Sequence, residues 1–371
     1  MNAITPLYPL QESASEAAVE IAQRWRDLKD AEPHLRARDA ADRLGVSEAE
    51  LVAARCDGRD IVRLRPAWAD LLSELESLGR VMALTRNDHV VHEKHGEYIG
   101  AKVFGNMGLL VNPDIDLRLF LGQWDHVFAV TELTRSGVRN SLQVFGDDGL
   151  ALHKIYATDR TDDAAWSRLI GRFRAADQSP GVRVAPTHAI PTDPPDQAVD
   201  VGALRARWDG LKDTHDFVDL LRQFGVGRMQ SLRLAGPERA YPVQRDAGRI
   251  VLEYARDDAL PIMVFVGNRG LVQIHTGSVS KLVSAGEWFN VLDPRFNLHV
   301  RMSAIHSVWV VAKPTVDGPV HSLELFDEQG ALLMQVFGER KPGRPQDPRW
   351  RALLGVLEPC SVNETGRHVS S

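Results

Sequence analysis

Cysteine is almost absent: Cys56 and Cys360 are the only two in 371 residues, too few for a disulfide framework and in keeping with a reducing compartment. No apolar run approaches the roughly 18 residues of a membrane-spanning helix. The opening MNAITPLYPLQESASE has neither the basic start nor the apolar core of a secretion signal. A basic surplus is missing too, with 44 Lys and Arg against 50 Asp and Glu and a net charge of −6; nucleic-acid binders usually present a basic face. What remains is an ordinary globular composition, 44% hydrophobic and 25% charged. A cytoplasmic, non-membrane-spanning protein is expected.

What the chain does have is a repeat. RWRDLKD at Arg24–Asp30 returns as RWDGLKD at Arg207–Asp213, and SLQVFGDDGLALHKIY at Ser141–Tyr156 as SLELFDEQGALLMQVF at Ser322–Phe337. VFGNMGLLVNP at Val103–Pro113 also looks like VFVGNRGLVQI at Val264–Ile274. From Asp116 to Phe145 the match to Asn297–Phe326 runs without a gap. A repeat this long marks a duplicated domain, since solenoid periods are about 20–50 residues. Residues 1–178 and 201–371 are the expected repeats, and 179–200 is a proline-rich spacer with Pro180, Pro186, Pro191, Pro194 and Pro195.

Within each half, helical periodicity gives way to short β runs and returns. Leu71, Leu72, Leu75 and Leu78 form one helical stripe with Gly79 as its stop. Residues 81–156 read as strands split by Gly-Asn, Asn-Pro and Asp-Asp-Gly turns. Strands grouped between helices imply an α+β fold with a large antiparallel sheet in each half.

Four local patterns carry possible chemistry. Residues 40–55, AADRLGVSEAELVAAR, resemble a helix-turn-helix with Ser47 as a cap. Glu48 and Glu50 open its second helix and would repel phosphate, so DNA binding is a weak alternative to a plain helical hairpin. His89, His92 and His95 fall three apart; in a strand His92 faces away from the other two, which opposes a shared metal. His215 sits in KDTHDFVDLLRQFG with Asp213 as the expected cap, in a first turn whose positive end favours neutral imidazole. Aligned on RWxxLKD, the first half has Glu32 there. A capped core histidine and a metal ligand both remain open for His215. Finally, DLRLFLG alternates Leu117, Leu119 and Leu121 against Asp116, Arg118 and Phe120. An arginine beside an aromatic suits a flat anionic ligand; a solvated sheet face is the other reading.

Together these strings resemble the hemin-degrading factor family, duplicated cytoplasmic haem-binding proteins of bacterial haem uptake. The resemblance spans almost the whole chain: RNDHVVHE at Arg86–Glu93, NPDIDLRLFLGQW at Asn112–Trp124, DTHDF at Asp213–Phe217, MVFVGNRGLVQIHTG at Met263–Gly277 and KPTVDG at Lys313–Gly318. It implies haem in a cleft between two stacked repeats. His215 would be the axial ligand to iron, with Arg118 and Phe120 on the distal side. Arg228, Lys313 and Arg340 would meet the propionates or close the pocket, and His92 would be a secondary haem contact. Relatives carry tyrosine where this chain has Phe337, so a phenolic hydrogen bond is lost.

The resemblance implies two functions for one site. In the first, the protein is a haem carrier loaded by an inner-membrane ABC transporter and relieved by a haem oxygenase or by storage. In the second, it is an enzyme that opens the macrocycle with an external electron donor, Arg118 and Phe120 then lining a catalytic pocket.

Overall fold

The computed structural model describes residues 10–134, 137–188, 192–340, 343 and 345–360. Among the described residues, strand order gives two antiparallel sheets of nine strands. It divides into two compact units: residues 1–85, 95–188 and 268–271 form the first, and 86–94, 189–267 and 272–371 the second.

In the first unit, strands Ile61–Arg63, His126–Thr134, Gly137–Phe145, Ala151–Thr161 and Gly79–Arg86 lie side by side in that order. Lys102–Phe104, Met107–Val111 and Asp116–Phe120 form a three-stranded antiparallel block. The leucine stripe becomes the helix Trp68–Glu74, tightening to a 3-10 turn at Leu75–Leu78. Gly79, at φ 68, makes the left-handed step into the next strand. The four leucines pack with Leu117, Leu119, Trp124, Trp166 and Phe173 in one core.

The second unit repeats this plan. Strands Ala240–Val243, Ser307–Lys313, Val320–Phe326, Leu332–Gly338, Ile262–Asn268 and Leu271–Gly277 follow one another. Val90–Gly96, Phe296–Arg301, Trp288–Asp293 and Leu282–Ala285 form the smaller block. Three helices precede the strands in each half, Leu10–Ala31, Ala37–Leu44 and Glu48–Ala53 against Val201–Asp209, Asp216–Phe224 and Arg228–Ala235.

Element by element, the offset between halves through the strands is 181 (297 minus 116). It corrects one of the sequence matches. The hairpin at Lys102–Val111 corresponds to Leu282–Asp293, whereas Ile262–Gly277 corresponds to Gly79–Gly96. VFGNMGLL and VFVGNRGL therefore resemble each other because both turn through glycine and asparagine, not because they are equivalent.

The helix-turn-helix reading also falls. Ser47 and Glu50 make a reciprocal capping box, at 3.2 and 2.8 Å. The following helix is only six residues long, and Glu48, Ala49, Leu51, Val52 and Ala53 are all buried. Glu48 is held by Lys154 at 2.6 Å. That helix is spent on packing and presents no face to a DNA groove.

Nor is the proline-rich segment a bare spacer. Gly181 and Ala185 donate backbone hydrogen bonds to Ala53 and Asp147 in the first unit. Asp193 accepts from the Gly227 backbone, and Asp196 pairs with Arg233 at 2.7 Å in the second.

Candidate functional site

His215 sits where the chain turns into the helix Asp216–Phe224. The helix buries Phe217 and Leu220 and stops at Gly225, φ 62, in the left-handed region. The sequence places His215 inside the first turn under an Asp213 cap; the structure shifts the start by two residues, with His215 itself at the N-cap. Asp216 reaches back to accept from the backbone N–H groups of Lys212 and Asp213, both at 3.1 Å. Asp213 turns to the histidine instead. Its carboxylate accepts from the His215 backbone N–H at 2.8 Å and stands 2.5 Å from Nδ1.

The imidazole is 86% exposed, which disposes of the core-histidine reading. An Nδ1–H donated to Asp213 leaves the Nε2 lone pair facing outward, the arrangement of a metal-ligating histidine with a carboxylate behind it. The hydrogen bonds from His215, with the charge of Arg340 nearby, hold the Asp213 carboxyl below its ordinary range against a burial effect that raises it. Arg340 thus lies in the field of the same pair. In the first half the corresponding turn, residues 32–36, carries an exposed His34 beside the Glu32 picked out by alignment, so the histidine is less confined to one half than the alignment implied.

Two residues further along, Phe217 lies under two cations, Lys313 at 4.4 Å and Arg228 at 5.0 Å from the ring centre. Trp208 meets the same ring edge-on at 4.8 Å. Both cations converge on Glu324, Arg228 through two bonds of 2.7 and 2.8 Å and Lys313 through one of 2.9 Å. Ser322 and Gln335 also donate to this carboxylate, at 3.1 and 2.9 Å. Glu324 is fully buried; burial pushes its carboxyl up, but Arg228 and Lys313 outweigh that and hold it well below the usual range. Burial pushes Lys313 down to about 8, against the pull of Glu324. In this structure Arg228 and Lys313 are both engaged with Glu324, and their expected part in meeting the propionates or closing the pocket is taken forward as a proposal. They share one anion, and one positive charge is left over.

Arg118 and Phe120 lie on the strand Asp116–Phe120 of the first unit, with Leu117 and Leu119 buried on the other face as the alternation requires. The Arg118 guanidinium pairs with Asp116 on its own face. Across the ladder, Met107 opposes Phe120, Leu109 opposes Arg118 and Val111 opposes Asp116. Met107, Val111 and nearby Phe104 are exposed, so this arginine and phenylalanine stand on an open apolar sheet face.

His92 has no exposed surface. Its Nδ1 is 2.9 Å from the Gln273 amide and its ring leans on Phe296 at 5.0 Å. Burial first, then the charges of His275 and Lys94, push it well below its ordinary value. The imidazole is sealed in the core in this structure, and the secondary haem contact expected for it is taken forward only as a proposal. Among the described residues no cluster of metal-ligating side chains occurs.

The haemin-degrading HemS/ChuX domain model matches residues 45–173 and again 225–357. The chain belongs to this family. It is 41% identical to the hemin transport protein HmuS of Yersinia pestis over 336 residues, 90% of this chain and 96% of that one. Among solved structures it is similar to holo-PhuS, a heme-binding protein from Pseudomonas aeruginosa, with 48% identity, a TM-score of 0.90 and coverage of 92% and 99%. It is also similar to ChuS, an E. coli heme oxygenase, with 39% identity, a TM-score of 0.83 and coverage of 91% and 99%.

With the family known, the two nearest features that sequence reasoning missed stand out. Asp213 was legible as a cap but not as the partner of Nδ1. Glu324 gave no signal, because only the strand register brings it to Arg228 and Lys313.

Proposed function

We propose that the protein binds haem as cargo in the cytoplasm, with His215 Nε2 as the axial ligand. The observation that carries this reading is the exposed His215 imidazole with Asp213 on its Nδ1 and Arg340 close by. That donor set fits haem: one neutral nitrogen for iron, and cations for two carboxylates. Arg340 is the half-buried cation next to the ligand, and the residual charge of the Arg228 and Lys313 cluster adds to it. The family resemblance adds Arg118 and Phe120, a guanidinium and a ring on one strand face, as further haem contacts. When bound, haem supplies redox-active iron; the protein's part is to fix its orientation and limit its contact with water.

A haem-uptake role follows, loading by an inner-membrane ABC transporter and release to a haem oxygenase or to storage. The enzyme reading needs oxygen and an external electron donor. Phe337 favours the carrier: its ring packs on Phe265 at 5.0 Å and supplies no hydroxyl where relatives have tyrosine. Single-turnover spectroscopy of the haem complex with a reductase and catalase separates the two. A Soret band that persists until haem is passed to an acceptor supports the carrier; biliverdin-like product with released iron overturns it.

A further inference from the structure

The duplication provides an internal control for the Glu324 cluster. The strand offset of 181 sets Glu324 against Gln143, Lys313 against Glu132 and Gln335 against Lys154. Counting from the helix-ending glycines Gly45 and Gly225, Arg228 corresponds to Glu48 and Phe217 to Ala37. Where the second half has two cations, an acid and an amide, the first has two acids, an amide and a cation. It has no aromatic ring at all at the Phe217 position.

Both halves nevertheless build the same order of helices and strands. In the first half Glu48 and Lys154 pair at 2.6 Å, and Gln143 bonds Ser141 at 3.0 Å. The first half thus reaches the same order of elements with a different set of side chains at these positions. In the second half, the exposed His215 with Asp213 on its Nδ1 stands two residues before Phe217.

We propose that Glu324 is a positioning residue for His215: it holds Arg228 and Lys313 against the ring of Phe217, and this clasp fixes the start of the helix that presents the imidazole. This rests on His215 being the haem ligand. Energetically the clasp is plausible, since desolvated cation–π contacts are among the stronger ones. A buried carboxylate with two cationic partners is also rigid, because releasing either partner leaves charge uncompensated. Lys313 gives the clasp a pH dependence. The groups facing its ammonium are Glu324, Arg228 and the Phe217 ring, with Ser322 and Gln335 on the shared carboxylate. As pH rises through about 8 the ammonium loses its proton and one of the two cations on Phe217 is gone.

The test is the dissociation rate of ferrous CO-haem from the full-length protein, a form with no iron-bound hydroxide to titrate. Glu324→Gln and Phe217→Leu should each speed dissociation, by the roughly 10- to 100-fold typical of lost support behind a metal ligand. The double variant should be no faster than the worse single one. In the native protein dissociation should quicken between pH 7 and 9, and Lys313→Arg, which stays charged, should abolish that rise. If Glu324→Gln does not fold, Phe217→Leu and the pH profile still decide. Native rates in Phe217→Leu, additive losses in the double variant, or a flat native pH profile would each overturn the clasp. A native spectrum and rate in His215→Ala would instead remove the haem reading on which it rests.

Discussion

The Asp213 carboxylate stands 2.5 Å from Nδ1 of His215, two residues away along the chain. A carboxylate in this place orients the ring, selects the tautomer and raises the basicity of the opposite nitrogen. Asp213→Asn keeps the size but removes the charge. Haem affinity should fall roughly 10- to 100-fold, and the iron–histidine stretch of the ferrous complex should move to lower frequency in resonance Raman spectra. His215→Ala should abolish that band altogether. An unshifted band in Asp213→Asn would mean that the carboxylate only caps the turn.

The buried histidines make an acid limb. His153 is pushed down to about 3 by burial, between Thr85 at 3.0 Å and Tyr98 at 2.6 Å. His275 is likewise pushed down to about 3 by burial and by Lys94, and His92 falls well below its ordinary value. All three are neutral in the folded protein and take up protons on unfolding below the ordinary imidazole value of about 6.5. Their contribution to stability is complete above that pH and is lost as pH falls toward 3, at up to about 1.4 kcal/mol per pH unit for each group. Urea midpoints should decline from pH 6.5 to 5, and His153→Gln should reduce that slope by about one proton. His92→Ala should lower the midpoint while leaving the haem spectrum unchanged. An unchanged slope in His153→Gln would show that the group is already charged in the native state.

Arg118 is restrained by Asp116 on the same strand face. Removing the guanidinium as Arg118→Ala should weaken haem binding by about 1.5–3 kcal/mol, the range for a charge-assisted bond. Asp116→Asn should act oppositely or not at all, because it frees Arg118 for the ligand. Titrations in which both changes weaken haem equally would assign the pair to folding.

The strand alternation around Leu117 and Leu119, the leucine stripe ended by Gly79, the Ser47 cap and the duplication were all legible, because each depends on local periodicity or on a self-match. His215 and Arg118 were legible as candidates, and the family resemblance raised them above their neighbours. What escaped has one physical cause, pairing at long separation. Nothing local joins Arg228 to Glu324, 96 residues apart, and only ladder register reveals that the two halves invert their charges. The mistaken hairpin match has the opposite cause, since glycine-asparagine turns look alike wherever they occur.

The cations of the second unit should separate by mechanism. Arg340 is half-buried and acts in the field of Asp213, so the role proposed for it toward haem is direct attraction for a carboxylate. Lys313 is 3% exposed and bonded to Glu324, so its effect reaches haem through Phe217 and the helix. Haem dimethyl ester has no carboxylates and tells the two apart. Arg340→Ala should weaken haem binding but leave the ester nearly unaffected, because the lost partner is absent from the ester. Lys313→Met should weaken haem and ester alike, because it disturbs the ligand helix and not the propionates. Paired equilibrium titrations of both variants with both ligands measure this directly. A Lys313→Met loss confined to haem would return that lysine to the propionates and leave Phe217 with one fewer reason for its position.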